Sequence, residues 1–247
     1  MEVEIYTQMN QVEQHHWWFV ARRKIIRKVL ESFLPESNNL KILEIGCGTG
    51  GNLALLSEFG EVSAMELDNT ARKLANKKKT CEVKKGALPN NIPFTEKFDL
   101  ICLFDVLEHI EDDHAAIASI KERLNEKGEI FITVPAYQFL WSFHDVEHPH
   151  KRRYTLKNLK KHLLELDFNA YFSSYFNCIL FPIIATVRKL LSWKSINNLS
   201  VNTPPKYINI GLKKVFSLES KIIPKYTLPF GVSIIILAKK QPNKEVP

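Results

Sequence analysis

The sequence predicts an α/β fold built around a mostly parallel sheet. Short apolar runs of strand length alternate with amphipathic stretches of helical length along most of the chain. One run, Lys41 to Ile45, ends in the glycine-rich turn Gly46-Cys47-Gly48-Thr49-Gly50-Gly51, which opens a helix. A single long interval between the last two strand candidates, 177–231, breaks the alternation.

Residues 11–33 read as an N-terminal helix carrying Trp17, Trp18 and the basic run Arg22-Arg23-Lys24, ended by Pro35, Ser37 and Asn38. The first strand is 41–45. Residues 52–59 keep helical spacing and stop at Gly60. A second strand over 62–66, a basic helix over 70–79 and a short third strand over 82–85 follow, and a proline-containing loop runs through Lys97. The fourth strand is Phe98 to Phe104, and 112–125 is an amphipathic helix stopped near Gly128. Pro135 ends a fifth strand over 129–134. Thr155 is placed to cap a helix over 155–166. A sixth strand spans 168–176 and a buried last one 232–238. Between them lie an apolar helix, Ile179 to Trp193, and a second helix from about Lys206 to Ile223. These form an inserted cap. The expected organisation is one domain over 1–247: a helical lid (1–38), a core (39–177), the cap (178–228) and the last strand and tail (229–247).

The length allows one large domain or a domain with a cap. Hydrophobic residues at 45% supply a core, and 25% charged residues is ordinary for a soluble chain. A net charge of +7 and a pI near 9.1 suit a phosphate-bearing partner as well as a merely solvated basic surface. The four cysteines show neither CxxC nor zinc-finger spacing, which points to a reducing, cytoplasmic compartment. The N-terminus has no apolar leader, and the longest apolar run, Cys178 to Val187, contains Pro182 and falls short of the ~20 residues a spanning helix needs. The expected location is the cytoplasm, with peripheral contact at the inner membrane face through the cap as the furthest extension.

The glycine loop admits two cofactor classes. Gly46, Gly48 and Gly51 satisfy GxGxxG, and Glu66 follows at the end of the second strand, where an acid binds ribose hydroxyls in either class. Glu44 separates the classes. A carboxylate two residues before Gly46 suits a ligand bearing an ammonium and a sulfonium and is unhelpful beside a pyrophosphate. A nicotinamide-dependent oxidoreductase is the rival on this loop. A non-enzymatic binding protein and a nucleic-acid methyltransferase are the others. Against a nucleic-acid substrate stands Asp105-Val106-Leu107, where an Asn/Asp-Pro-Pro-Tyr/Phe motif would be needed.

Glu44 and the glycine loop combine with Gly86-Ala87-Leu88 after the third strand, Pro93-Phe94 ahead of Phe98-Asp99-Leu100-Ile101, and Phe104-Asp105-Val106-Leu107-Glu108-His109-Ile110. Together these make Glu44 through Val134 resemble the class I S-adenosylmethionine-dependent methyltransferases, a broad group that includes ubiquinone-biosynthesis O-methyltransferases. The resemblance implies a Rossmann-like sheet of seven strands with the last antiparallel. It implies S-adenosylmethionine as cofactor and S-adenosylhomocysteine as product. By resemblance, Glu44, Gly46, Cys47 and Gly48 line the methionine end, Glu66 holds the ribose, Ala87 and Leu88 flank the adenine, and Phe104 and Asp105 floor the pocket. Asn52, Leu67, Gly86 and Val106 complete the set. Many relatives carry Asp at the position of Ala87, so here the adenine amino group leans on backbone or another side chain.

His16-Trp17-Trp18-Phe19, the stretch Trp141 to Tyr154, and Leu228-Pro229-Phe230-Gly231 resemble bacterial methyltransferases met beside cell-envelope sugar and lipid pathways. The acceptor does not follow from that likeness. The loop after the fifth strand gathers Trp141, His144, Asp145, His148, His150, Arg152, Arg153 and Tyr154 at the ligand edge of the sheet. His144 is the expected general base with Asp145 as its orienter, and His109 is next in line. Trp18, Trp141, His150, Arg152, Arg153 and Tyr154 are expected to bind the acceptor. Purely structural hydrogen bonding of the loop is the alternative; a metal site is conceivable there but none is expected. The cap helix, with Ile183, Ile184 and Val187 beside Arg188 and Lys189, reads either as a roof or as the mouth for a lipid-linked acceptor. The expected reaction is in-line methyl transfer to the oxygen of a small-molecule, lipid-linked or sugar acceptor.

Overall fold

β4 (Phe98–Phe104) and β1 (Leu40–Ile45) are apolar on both faces through most of their length, which suits strands covered by helices on both sides. In the computed structural model, which describes residues 3–34, 39–191 and 203–241, they lie side by side at the centre of a seven-stranded sheet. The other strands are β2 (Gly60–Glu66), β3 (Val83–Lys85), β5 (Leu124–Pro135), β6 (Phe168–Phe176) and β7 (Ser233–Lys240). The order is β3-β2-β1-β4-β5-β7-β6. β7 runs antiparallel between β5 and β6, and the remaining pairs are parallel. This is the Rossmann-like sheet the sequence led us to expect.

The chain leaves the centre through β2 and β3, then crosses back to β4. β1 and β4 therefore form a switch point, and a crevice opens at their carboxyl ends. One face of the sheet packs Leu43, Ile45, Ile101 and Ile132 beneath α5 (Asp113–Glu122) and α7 (Leu156–Glu165). The other packs Ile42, Leu100, Phe131 and Ile235 beneath α2 (Trp17–Phe33) and α9 (Lys206–Ser217). Trp18 stacks on Phe216 of α9 with centroids 5.3 Å apart, so the N-terminal helix and the cap share one layer.

Several boundaries differ from the sequence reading. The N-terminal helix is two helices, α1 (Val3–Val12) and α2, broken at 13–16, with His16 capping α2 by accepting from the Trp18 amide. Residues 52–59 yield one turn, α3 (Leu53–Leu56). The basic helix is α4 (Asn69–Lys77), whose N-cap Asp68 accepts from the amides of Thr70 and Ala71. α6 (Phe143–Glu147) is a short helix within the loop after β5. The first cap helix is α8 (Phe181–Leu191), and the second ends in a 3₁₀ turn, Leu218–Lys221. Pro35, Ser37, Asn38 and Trp193 lie outside the described residues. Among the described residues no helix is long and apolar enough to cross a membrane.

One carboxylate ties the cap to the sheet where the chain leaves it, and Leu228 pairs with β6 where the chain returns. Glu219, wholly buried, accepts from the amides of Asn177 at 2.6 Å and Ile179 at 2.9 Å, just where the chain leaves β6. Glu219→Ala leaves the buried Asn177 amide unpaired, a loss of about 1–3 kcal/mol, and frees the partly buried Ile179 amide as well. Urea unfolding of the variant is expected to show a lower midpoint with an unchanged slope.

Candidate active site

At the carboxyl end of β1 the chain turns through Gly46 and Gly48, both at positive φ, 65° and 56°. A side chain at Gly46 would strike Val106, whose Cγ2 lies 2.8 Å from where the Cβ would stand. Above Gly48 only the Met9 methyl approaches, at 3.8 Å, so backbone is laid open to a ligand. The Gly48 amide donates to Glu66 at 2.8 Å, and the Asp68 amide donates to the other oxygen of that carboxylate at 2.8 Å. Glu66 is thus fixed at the end of β2.

Glu44 is almost wholly buried. Asn52 donates to its Oε1 at 2.9 Å, while Oε2 has no partner. Burial pushes this carboxyl up to about 7, against the pull of the Asn52 bond. These residues border a cavity of about 1960 Å³ together with every other cofactor residue expected from sequence, from Cys47 and Leu67 through Gly86, Ala87 and Leu88 to Phe104, Asp105 and Val106.

α1 covers this half of the cavity; the sequence reading gave a helical lid over 1–38 but named no residue of 3–13 in it. Tyr6, Met9 and Glu13 line it. The buried Glu13 accepts from Thr49 Oγ1 at 2.7 Å and pairs with Lys78 of the α4 C-cap. A Cβ at Gly51 would come within 2.5 Å of Glu13 Oε2. No local pattern announces such a contact, because its partners are far apart in sequence. Asp105, at φ 59°, accepts from Arg22 of α2 at 2.6 Å and from Thr133 at 3.1 Å.

The other half of the cavity is walled by the loop after β5, and here sequence reasoning needs correction. Asp145 does not orient His144. Its Oδ1 takes His150 Nδ1 at 2.8 Å and Arg153 Nε at 2.7 Å, and its Oδ2 takes Arg153 Nη2 at 2.9 Å. Arg153 also donates to the Ala136 carbonyl, so its guanidinium is spent on the loop and is not free to clamp an anion. Arg152 pairs with Asp113 at 2.8 Å, and Tyr154 donates to the same carboxylate at 2.7 Å. Both face a separate cleft with Asn158 and His162, so neither lines the main cavity. The cause is common to all three: the buried carboxylates Asp113 and Asp145 draw in the nearest donors.

Trp18, Trp141, His109, His144, His148 and His150 do line the main cavity. The rings of His109 and His150 are 4.7 Å apart, and those of His144 and His148 are 4.1 Å apart. Burial pushes His109 and His148 down to about 4 and His144 well below its usual value, so this end of the site offers neutral imidazoles. Arg188 of α8 also reaches the cavity and donates to the Leu140 carbonyl at 3.1 Å.

Residues 17–171 match the profile of a family described as a methyltransferase domain. The chain belongs to the class I S-adenosylmethionine-dependent methyltransferases. It is 30% identical over 135 residues to a trans-aconitate 2-methyltransferase of Deinococcus radiodurans, a match covering 50% of this chain and 48% of the relative. It is 31% identical over 105 residues to a ubiquinone biosynthesis O-methyltransferase of Glaesserella parasuis, covering 38% of this chain and 44% of that one. The chain thus spans less than half the length of these relatives. The phosphoethanolamine N-methyltransferase 2 of Haemonchus contortus, solved with S-adenosyl-L-methionine, shares the fold at a TM-score of 0.56 and 14% identity, over 86% of this chain and 51% of that one. S-adenosylmethionine is the cofactor of that family, which speaks against the nicotinamide alternative.

The Asp145 knot makes a stability expectation. Burial alone would raise this carboxyl; the hydrogen bonds from His150 and Arg153 outweigh it and hold the group well below the usual carboxylate range. Its native value is thus depressed, so its stabilisation is present above the unfolded value of ~3.9 and is lost as pH falls toward the native one. Asp145→Ala leaves Arg153 buried and unpaired, at a cost of about 3–5 kcal/mol. Thermal unfolding across pH 3 to 7 is expected to show this loss, with the acid limb flatter in the variant than in the parent.

Proposed function

We propose that this methyltransferase holds S-adenosylmethionine with its ammonium on Glu44 and its ribose on Glu66, and methylates an oxygen of an acceptor with a sizeable apolar part. The unpartnered Glu44 Oε2 carries the cofactor placement. It is a buried acceptor at the edge of an open glycine loop, and a cationic ligand group is what satisfies it. Asn52 keeps that carboxylate turned toward the cavity. Glu66, fixed by two amides, retains lone pairs for two ribose hydroxyls. Ala87 and Leu88 would pack against the adenine. When bound, the cofactor supplies an electrophilic methyl on a sulfonium that departs as a neutral thioether.

The residues of the chain then have positioning to do. α1 and α2 keep water from the cofactor half, and Trp18 and Trp141 wall the passage to the imidazoles. The far rim is apolar: Leu180 and Ile184 line it inside, while Phe143, Val146, Ile183 and Val187 stand exposed at its mouth. Such a rim favours an acceptor with an aliphatic or aromatic tail. The likeness to an O-methyltransferase supports oxygen as the nucleophile.

Two measurements test this reading. Glu44→Gln preserves shape and the Asn52 bond but removes the charge. It is expected to weaken S-adenosylhomocysteine by about 1.5–3 kcal/mol, the worth of a charged hydrogen bond. Binding of 5′-methylthioadenosine, which lacks the amino-acid end, should not change. Equal losses for both ligands would place the ammonium elsewhere. Because free Glu44 titrates near 7 and the ammonium requires it ionised, affinity for S-adenosylhomocysteine is expected to fall as pH drops below 7, with proton release on binding in calorimetry.

For the acceptor, methyl-labelled cofactor and whole-cell extracts should yield a labelled product in the organic phase that releases labelled iodomethane with hydrogen iodide, if an ether, or labelled methanol on hydrolysis, if an ester. Label confined to polar or nitrogen-linked products would overturn the acceptor assignment.

A further inference from the structure

Three groups that the methyl transfer described above leaves unused converge on the cavity wall. One carboxylate oxygen of Glu108 and one ring nitrogen each of His109 and His150 lie within 4.8 Å of one another. They come from two separate segments, the 3₁₀ turn Leu107–His109 that follows β4 and the loop that follows α6. Ligand bonds of about 2.1 Å set donors roughly 3–3.5 Å apart around a tetrahedral ion, so the three close on one ion with side-chain adjustments alone. We propose that Glu108, His109 and His150 form a binding site for one divalent transition-metal ion, with an open position facing the acceptor space.

Glu108 is the strongest indication. It is 1% exposed, and neither carboxylate oxygen has a hydrogen-bond partner. A buried carboxylate left bare is expensive, and native proteins rarely leave one so. The cations nearby are committed elsewhere: Arg22 to Asp105 at 2.6 Å, and Arg153 to Asp145 through two bonds.

The imidazoles are arranged as ligands. His150 Nδ1 is held by Asp145 at 2.8 Å, which fixes the ring and leaves Nε2 to give its lone pair. A carboxylate commonly stands behind a metal-bound imidazole, where it sets the tautomer and raises the donor strength of the ring. Here Arg153 and Ser142 in turn fix that carboxylate. His109 packs edge-on against the His150 ring, with centroids 4.7 Å apart, and offers a ring nitrogen as well.

Two imidazoles and one carboxylate suit zinc, cobalt, manganese or ferrous iron, and suit magnesium or calcium poorly because those prefer all-oxygen shells. Three protein ligands with an open fourth position is the pattern of a reacting site, where a closed structural site would have four. Its use rests on the proposed transfer to oxygen. An acceptor hydroxyl bound at the open position loses its proton to solvent more readily. The new O–CH₃ bond forms as the CH₃–S bond breaks, the sulfur keeps that electron pair, and one proton is released per turnover.

The experiment uses the full chain, stripped with a chelator and dialysed, and titrates it with Co(II) while following visible absorption and calorimetry. Uptake of one equivalent with a ligand-field spectrum is expected. Glu108→Gln and His150→Ala should each weaken Co(II) about tenfold or more, while S-adenosylhomocysteine affinity holds and a His114→Ala control binds Co(II) as the parent does. Failure of the parent to bind Co(II) below millimolar concentration overturns the site, as does undiminished binding in the Glu108/His150 double variant. Should the variants misfold, Zn(II) must still shield His109 and His150 of the parent from diethyl pyrocarbonate, and its failure to do so overturns the proposal too. Parent that binds S-adenosylhomocysteine but no ion leaves the cofactor reading intact, so the two readings fail separately.

Discussion

Five carboxylates crowd the ligand end of this sheet: Glu44, Glu66, Asp105, Glu108 and Asp145, and all but Asp105 are buried. Burying them is costly unless each is met by a donor, and much of the local architecture answers that demand. Asn52 comes to Glu44, two loop amides to Glu66, Arg22 to Asp105, and Arg153 with His150 to Asp145. In this way the glycine loop, the N-terminal helix and the loop after β5 are drawn onto one cavity. Where the answer is incomplete, at Glu44 Oε2 and at Glu108, the gap itself indicates a ligand group with positive charge.

The sheet and the glycine-loop half of the cavity were legible in the sequence for a physical reason. Strands buried on both faces must be apolar throughout, and the glycine turn between β1 and α3 is a local device whose parts are contiguous. Glu44 was readable because its distance from Gly46 fixes its place at the strand end. The half walled by the loop after β5 was less legible. Asp145 could have served His144, its neighbour, or His150 and Arg153, and composition does not say which donor reaches a buried carboxylate. Arg152, Arg153 and Tyr154 lie in extended chain, where successive side chains point to opposite sides, so adjacent cations part company: Arg152 goes to Asp113 and Arg153 to Asp145. The break at 13–16 that splits the N-terminal helix follows from contacts made across the molecule, by Glu13 to Thr49 and by Asn209 to the His15 carbonyl and the Trp17 amide.

The division of the cavity matches the division of its covers. α1 lies over the glycine loop and answers to Glu13, Thr49 and Lys78. α8 lies over the imidazoles and answers to Arg188 and Leu140. Between them α2 and α9 form a shared layer through Trp17, Trp18 and Phe216, on which both covers are mounted.

Gly51 shows how one letter of a motif can arise from unrelated demands. In a dinucleotide-binding turn the third glycine of GxGxxG lets a helix pack closely on a strand. Here the same letter clears room for an acid from the break between the two N-terminal helices, since any side chain would collide with Glu13 Oε2. A pattern search registers only that the position is small. The steric neighbour that makes it small decides the chemistry, and in this chain that neighbour belongs to the cover of the pocket, whereas the dinucleotide turn owes its glycine to the pocket's floor.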